Sequence, residues 1–224
     1  MSGTTLRRGL LLAAALVPFS LPGGQLLAQQ TPSADAVART VDRHYNQLHS
    51  LRAGFTETYE GMGIRRTESG TLLLLKPGRM RWDYSKPAGK LFLLDGKFAW
   101  FYSKGSPQVQ RVPAKQLDDL RSPLRFLLGH TAIEKELTGL AIAPALGGLY
   151  TLSGQVKGQE RRIRRLALTV SLAGSIASIE MEEMDGALTR FNFTSEQENA
   201  AVPDGAFRFT PPPGIPVVDA LPPV

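Results

Sequence analysis

Histidine, carboxylate and thiol side chains hold metals and move protons, and in these 224 residues they do not gather. His44 and His49 are five apart, off the i,i+4 spacing that puts two imidazoles on one helix face, and His130 stands alone. All three read as surface or capping histidines. Asp118-Asp119 and the group Glu180, Glu182 and Glu183 supply neighbouring acids, which in this arrangement read as solvated faces. The chain has no cysteine, which excludes a disulfide framework, a thiolate metal site and the lipid-attachment Cys of an anchored lipoprotein. It has neither a Gly-x-x-x-x-Gly-Lys-Ser/Thr phosphate loop nor a Gly-x-Ser-x-Gly elbow. With no nucleophile, base and orienter set, no enzyme is expected, and no metal or cofactor.

Large apolar side chains are what the sequence concentrates instead, between Gly70 and Tyr102. Four runs, Gly70 to Leu75, Arg79 to Tyr84, Leu91 to Leu94 and Lys97 to Tyr102, are separated by Lys76-Pro77-Gly78, Lys86-Pro87-Ala88-Gly89 and Asp95-Gly96. Turn residues between aliphatic and aromatic runs predict an antiparallel meander. Asp95-Gly96 predicts a two-residue type I′ loop. By strand parity Met80, Trp82 and Tyr84 share one face, and Phe98, Trp100 and Tyr102 share one face. Leu72 to Leu75 is apolar on both faces, so both must be covered or one must face a lined cavity. Parity alone fits an ordinary core as well as a cavity wall.

The elements around this meander follow from the same patterns. Ser33 is a good N-cap, and Val37, Val41, Tyr45 and Leu48 recur at helical spacing, predicting an amphipathic helix that closes near Ser50. Strands are expected over Ala53 to Glu60, Ile64 to Lys76 and Val109 to Pro113. Ser122-Pro123 then starts a short helix bearing Leu124, Phe126, Leu127 and Leu128, apolar nearly all round, which must be buried or plug an opening. Leu149 to Ser153, Arg162 to Ser171, Ser175 to Glu183 and Leu188 to Thr194 form a second meander, turning at Gly174 and Asp185-Gly186. The expected fold is mainly β with helices, an incomplete antiparallel barrel with a helical lid over an apolar cavity. The tail from Pro211 to Val224 holds six prolines and is expected to run extended over the surface.

Met1 to Ala28 reads as a signal peptide, with Arg7-Arg8 before an apolar stretch, Gly9 to Leu21, too short to span a bilayer. It carries two arginines and no acid, so its removal lowers the net charge from +6 to +4. The full chain is 42% hydrophobic and 21% charged, an ordinary globular composition, and residues 29–224 are expected to form a single domain. The basic run Arg161-Arg162-Ile163-Arg164-Arg165 lacks interleaved aromatics and points to a solvated strand end rather than to nucleic acid.

One ordered set of residues carries a resemblance. Phe55, Gly70-Thr-Leu-Leu-Leu-Leu, Lys76-Pro-Gly-Arg-Met-Arg-Trp-Asp-Tyr84, Pro87, Leu93-Leu-Asp-Gly-Lys-Phe-Ala-Trp-Phe-Tyr102, Ser122-Pro-Leu-Arg-Phe-Leu-Leu128 and Phe207-Arg-Phe-Thr-Pro-Pro-Pro-Gly214 together resemble the periplasmic outer-membrane lipoprotein carrier family. The resemblance implies a monomeric periplasmic carrier that shelters the acyl chains of lipoproteins. It implies as partners the acylated cargo, an inner-membrane ATP-driven exporter and an outer-membrane acceptor. It places acyl-chain contacts at Val41 and Tyr45 of the first helix, Leu124 and Leu127 of the second, and Leu72, Leu74, Trp82, Phe98 and Trp100 of the sheet. A polar substitution at Trp82 or Leu127 is expected to cost binding more than stability. The family commonly has an Arg before the first Pro of the meander as a lid latch, and here it is Lys76, which donates hydrogen bonds but not as a planar fork. A carrier of another lipid, such as a glycolipid or fatty acid, and a lipoprotein-stress sensor of related fold are the alternatives.

Overall fold

The computed structural model describes Met1, Thr31–Asp118, Leu127 and Ala132–Asp219. The expected signal peptide therefore lies outside the described residues, as does Leu124. One helix and one long sheet of twelve strands make up most of what is described. Helix α1 (Ala34–Gln47) starts at Ser33, whose Oγ accepts the Ala36 N–H at 3.2 Å, and Asp35 complements the positive end of the helix dipole. Its buried face is Val37, Ala38, Val41 and Tyr45.

Strands β1 (Ser50–Gly61), β2 (Ile64–Leu75), β3 (Arg79–Lys86), β4 (Ala88–Leu94), β5 (Phe98–Ser103) and β6 (Val109–Pro113) form the first meander. Short helices α2 (Ala114–Asp118) and α3 (Ile133–Glu136) lead into β7 (Leu137–Pro144), β8 (Tyr150–Val156), β9 (Ile163–Val170), β10 (Ile176–Glu183) and β11 (Leu188–Glu198). A last strand, β12 (Val217–Asp219), follows. The spatial order is β12-β6-β5-β4-β3-β2-β1-β11-β10-β9-β8-β7, so β1 and β11 join the two meanders and the sheet stays open between β12 and β7. The expected incomplete barrel is this open sheet.

Two details differ from the expectation. Asp95-Gly96 does not form a type I′ loop, since of the pair only Gly96 has positive φ (98°). Asp95 instead closes the hairpin: its N–H donates to Phe98 O at 3.0 Å and its carboxylate accepts the N–H groups of Lys97 and Phe98, both at 2.7 Å. Burial would raise the Asp95 pKa, but the bonds from Phe98, the Trp100 indole and Lys97 bring it below its ordinary value. The proline-rich tail is not merely extended, because Val217–Asp219 pairs with β6 in parallel, and Arg111 grips Asp219 at 2.8 and 3.1 Å.

Each face of the sheet has its own core. On one face Phe55, Leu72, Leu74, Met80, Trp82, Leu166, Leu168, Phe191 and Phe193 form one cluster with the buried side of α1. On the opposite face Leu91 and Leu93, with Leu73, Leu75 and Trp100, are covered by Val202, Ala206, Phe207 and Phe209 of the segment after β11. Arg81 fastens that segment by donating to Ala206 O at 3.0 Å. The run Leu72 to Leu75, apolar on both parities, is thus covered on both sides.

Candidate functional site

Cross-strand register assembles the face under α1 row by row, since directly opposed side chains share a face. Leu74, Met80, Leu94 and Ala99 form the row nearest Lys76. Leu72, Trp82, Phe92 and Phe101 form the next. Beyond them Gly70 opposes Tyr84, and a Cβ at Gly70 would stand 2.0 Å from Asp83 O, so only glycine lets β2 and β3 pair there. Further still, Glu57 opposes Glu68 across β1 and β2. The face grades from aliphatic, through aromatic, to ionisable.

The aromatic part is tightly built. Phe55 meets Trp82 edge-on at 4.5 Å and Tyr84 at 5.0 Å, and Phe191 lies 5.6 Å from Trp82. Trp82 is only 1% exposed, and its Nε1–H has no hydrogen-bond partner among the described residues, a burial that costs about 1–3 kcal/mol. In the polar part the Tyr84 hydroxyl donates to Glu57 at 3.0 Å and Lys90 pairs with Glu68. Burial raises the Glu57 pKa against the opposing effects of Lys90 and the Tyr84 hydrogen bond.

Helix α1 packs against α3, β7 and β8, shares one apolar cluster with these rows, and is held by polar tethers. Ile176 N–H donates to the Tyr45 hydroxyl at 2.9 Å, Asp42 accepts the Ile133 N–H at 2.9 Å, and Arg39 pairs with Glu134 at 2.8 Å. Lys76 Nζ donates to the carbonyl of Tyr45, which also accepts the Leu48 N–H. That places an ammonium at the C-terminal end of α1, where helix carbonyls lack partners and the dipole is negative. Burial lowers the Lys76 pKa.

Of the residues expected to line one cavity, Val41, Tyr45, Leu72, Leu74, Trp82 and Leu127 are brought together in a single buried cluster. Phe98 and Trp100 are not, and the expectation that they share a wall with Trp82 is corrected. Trp82 opposes Phe92 and Phe92 opposes Phe101, so the odd-numbered residues of β5 share the face of Trp82 and the even-numbered ones lie on the other. There Trp100 donates to Asp95 Oδ2 at 2.8 Å and meets Phe209 edge-on at 5.8 Å, while the Arg111 guanidinium lies 4.6 Å from the Phe98 ring. Phe92 and Phe101, 5.0 Å apart, take the place assigned to Phe98 and Trp100. Carrying parity across each turn would have found them.

A second titratable group lies near the end of α1. Burial first, then the charge of Glu198, raises the Glu196 pKa from 4.5 to about 7, and its Oε1 is buried with no partner among the described residues. An acid with a raised folded pKa penalises the native state when ionised, so its cost is absent below pH 4.5 and grows as pH rises to about 7. Glu196→Gln is expected to remove that fall; thermal melts between pH 4.5 and 8 check it, and unchanged slopes would refute it.

No three His, Asp or Glu side chains among the described residues gather as a metal site. The basic run resolves into ladders on the face opposite Leu166 and Leu168: Arg164 pairs with Glu182 at 2.8 Å and Arg165 with Glu180 at 2.8 Å. Beside them lies an open groove of about 350 Å³, whose lining includes Thr138, Gln155, Arg164, Arg165 and Glu182.

Residues 46–210 match the family model described as outer membrane lipoprotein carrier protein LolA. An outer-membrane lipoprotein carrier protein of Chromobacterium violaceum is 34% identical over 171 residues, covering 75% of this chain and 81% of that one. One from Nitrosospira multiformis is 31% identical, covering 75% and 82%. An uncharacterised conserved protein of Thermus thermophilus shares the fold, with a TM-score of 0.54 at 12% identity over 84% of this chain and all of that one.

Proposed function

Because the chain belongs to the outer membrane lipoprotein carrier family, we propose that it carries lipoproteins across the periplasm, sheltering their acyl chains between α1 and the rows of Leu74 and Trp82. The physical requirement is large. A bare acyl chain loses about 0.8 kcal/mol per CH₂ in water, so a soluble carrier must offer it a continuous apolar surface. The observation that carries the reading is that Val41 and Tyr45 of α1, Leu72, Leu74 and Trp82 of the sheet, and Leu127 belong to one buried apolar cluster. With α1 down, these side chains bury one another. With α1 lifted, acyl chains replace the helix as their cover, so the apolar area exposed by opening is covered again by cargo.

Lys76 acts as the latch in this scheme. Its bond to the Tyr45 carbonyl exists only while α1 is seated. Lys76→Ala is expected to cost the seated state about 1 kcal/mol, and so raise the open fraction roughly fivefold, because a charged hydrogen bond is weakened by its partial exposure. Faster cargo uptake and release in stopped-flow transfer assays checks this, and unchanged rates would remove Lys76 from the mechanism.

From the family to which the chain belongs we infer that an inner-membrane ATP-driven complex loads the carrier and that an outer-membrane protein accepts the cargo. Purification from the periplasm followed by mass spectrometry tests the whole reading. A co-purified acylated protein supports it; a free lipid would make the chain a carrier of that lipid instead, and an empty protein would overturn it.

A further inference from the structure

The indole of Trp82 is a buried donor with nothing to donate to, and it sits at a chemically significant place. The row on its Lys76 side is aliphatic, and the groups beyond it are the Tyr84 hydroxyl, Glu57, Glu68 and Lys90. Trp82 therefore marks the boundary between the hydrocarbon-like and the polar part of the face under α1. A lipid anchor has the same boundary, where ester carbonyls join its acyl tails to glycerol. By contrast the other tryptophan, Trp100, already spends its N–H on Asp95 at 2.8 Å.

We propose that the Trp82 Nε1–H donates a hydrogen bond to an acyl-ester carbonyl of the bound lipid anchor, fixing how deep the tails enter. This rests on the carrier reading above and adds to it a chemical requirement: the cargo must present an ester acceptor one row from the polar groups. In the seated state the donor is unpaired, and the edges and faces of Phe55, Phe191 and Phe193 around it offer no oxygen. Cargo entering with an ester oxygen supplies the missing acceptor, whereas an ether-linked chain of equal length leaves the donor unsatisfied.

The test compares two synthetic peptides bearing S-(2,3-diacyloxypropyl)cysteine or its dialkyl ether counterpart, titrated calorimetrically against wild type and Trp82→Phe. Wild type is expected to bind the ester about three- to tenfold more tightly, and Trp82→Phe to bind both alike. Equal binding by wild type, or an ester preference that survives in Trp82→Phe, overturns the proposal while leaving the carrier reading intact. If wild type binds neither peptide, the carrier reading falls first and takes this one with it. Should Trp82→Phe fail to fold, ¹⁵N spectra of the wild type decide: the Trp82 indole proton moves downfield with the ester and not with the ether, and Trp100 serves as the unmoved reference. No shift on ester binding overturns the proposal.

Discussion

Trp82→Ala is expected to lower stability by about 3–5 kcal/mol, the cost of removing a large aromatic side chain from a site that cannot collapse around the gap. The site is rigid for a stated reason. Trp82 is 1% exposed, opposes Leu72 on one side and Phe92 on the other, and is packed by Phe55 at 4.5 Å and Phe191 at 5.6 Å. Backbone pairing in the sheet holds these neighbours in place. Urea denaturation measures the effect as a fall in midpoint, and a loss below about 1.5 kcal/mol would mean that the face is loosely packed. The same burial changes what was expected of polar substitutions. Trp82 and Leu127 are each 1% exposed, so a polar side chain at either would be desolvated in the empty protein as well as in the loaded one. Stability and binding should fall together, and only a change that keeps the ring, such as Trp82→Phe, separates them.

The coincidence of core and candidate binding face also explains what the sequence could and could not reveal. Alternation and turn residues located β1 to β6 and β8 to β11, because each strand carries its own period and its own punctuation, though β1, β4, β8 and β11 run three or four residues beyond one of the expected ends. Helix α1 was legible from Ser33 and the spacing of Val37, Val41 and Tyr45. Strand β7, Leu137–Pro144, escaped because it is an edge strand, largely exposed and broken by a register shift between Thr138 and Ala141, so it shows no clean alternation. Strand β12 escaped because three residues among prolines carry no pattern of their own and are strand only by pairing with β6. The site was half legible. Lys76 was identifiable by its place before Pro77, but that its partner is the Tyr45 carbonyl depends on contact between residues 31 positions apart. The assignment of Phe98 and Trp100 failed for a simpler reason. Which face a parity belongs to is a property of pairing between strands and is invisible within one.

The polar end of the face yields the second large effect. Glu68 is 6% exposed and is held by Lys90, with Arg66 farther off at 3.4 Å and mostly in solvent. Lys90→Met keeps the length of the side chain and removes its charge, leaving the buried Glu68 carboxylate with the weaker partner alone. Such one-sided removal is expected to cost about 3 kcal/mol at pH 7, near the low end for buried pairs because Arg66 remains. The change also reaches Glu57, which faces Glu68 across β1 and β2 and whose pKa burial already raises while Lys90 opposes the rise. Without Lys90 the Glu57 pKa moves further up, so its ionised form is penalised more in the native state. The penalty is complete above the folded pKa and disappears as pH falls toward the ordinary carboxylate range, where folded and unfolded forms are both protonated. Chemical denaturation of Lys90→Met at pH 7 and pH 5 should therefore show a smaller deficit at the lower pH. Adding Glu68→Gln should restore most of the loss, because the unpaired buried charge is gone. A deficit below 1 kcal/mol at pH 7, or a double variant no better than the single one, would show that Lys90 is a surface cation of no consequence to this face.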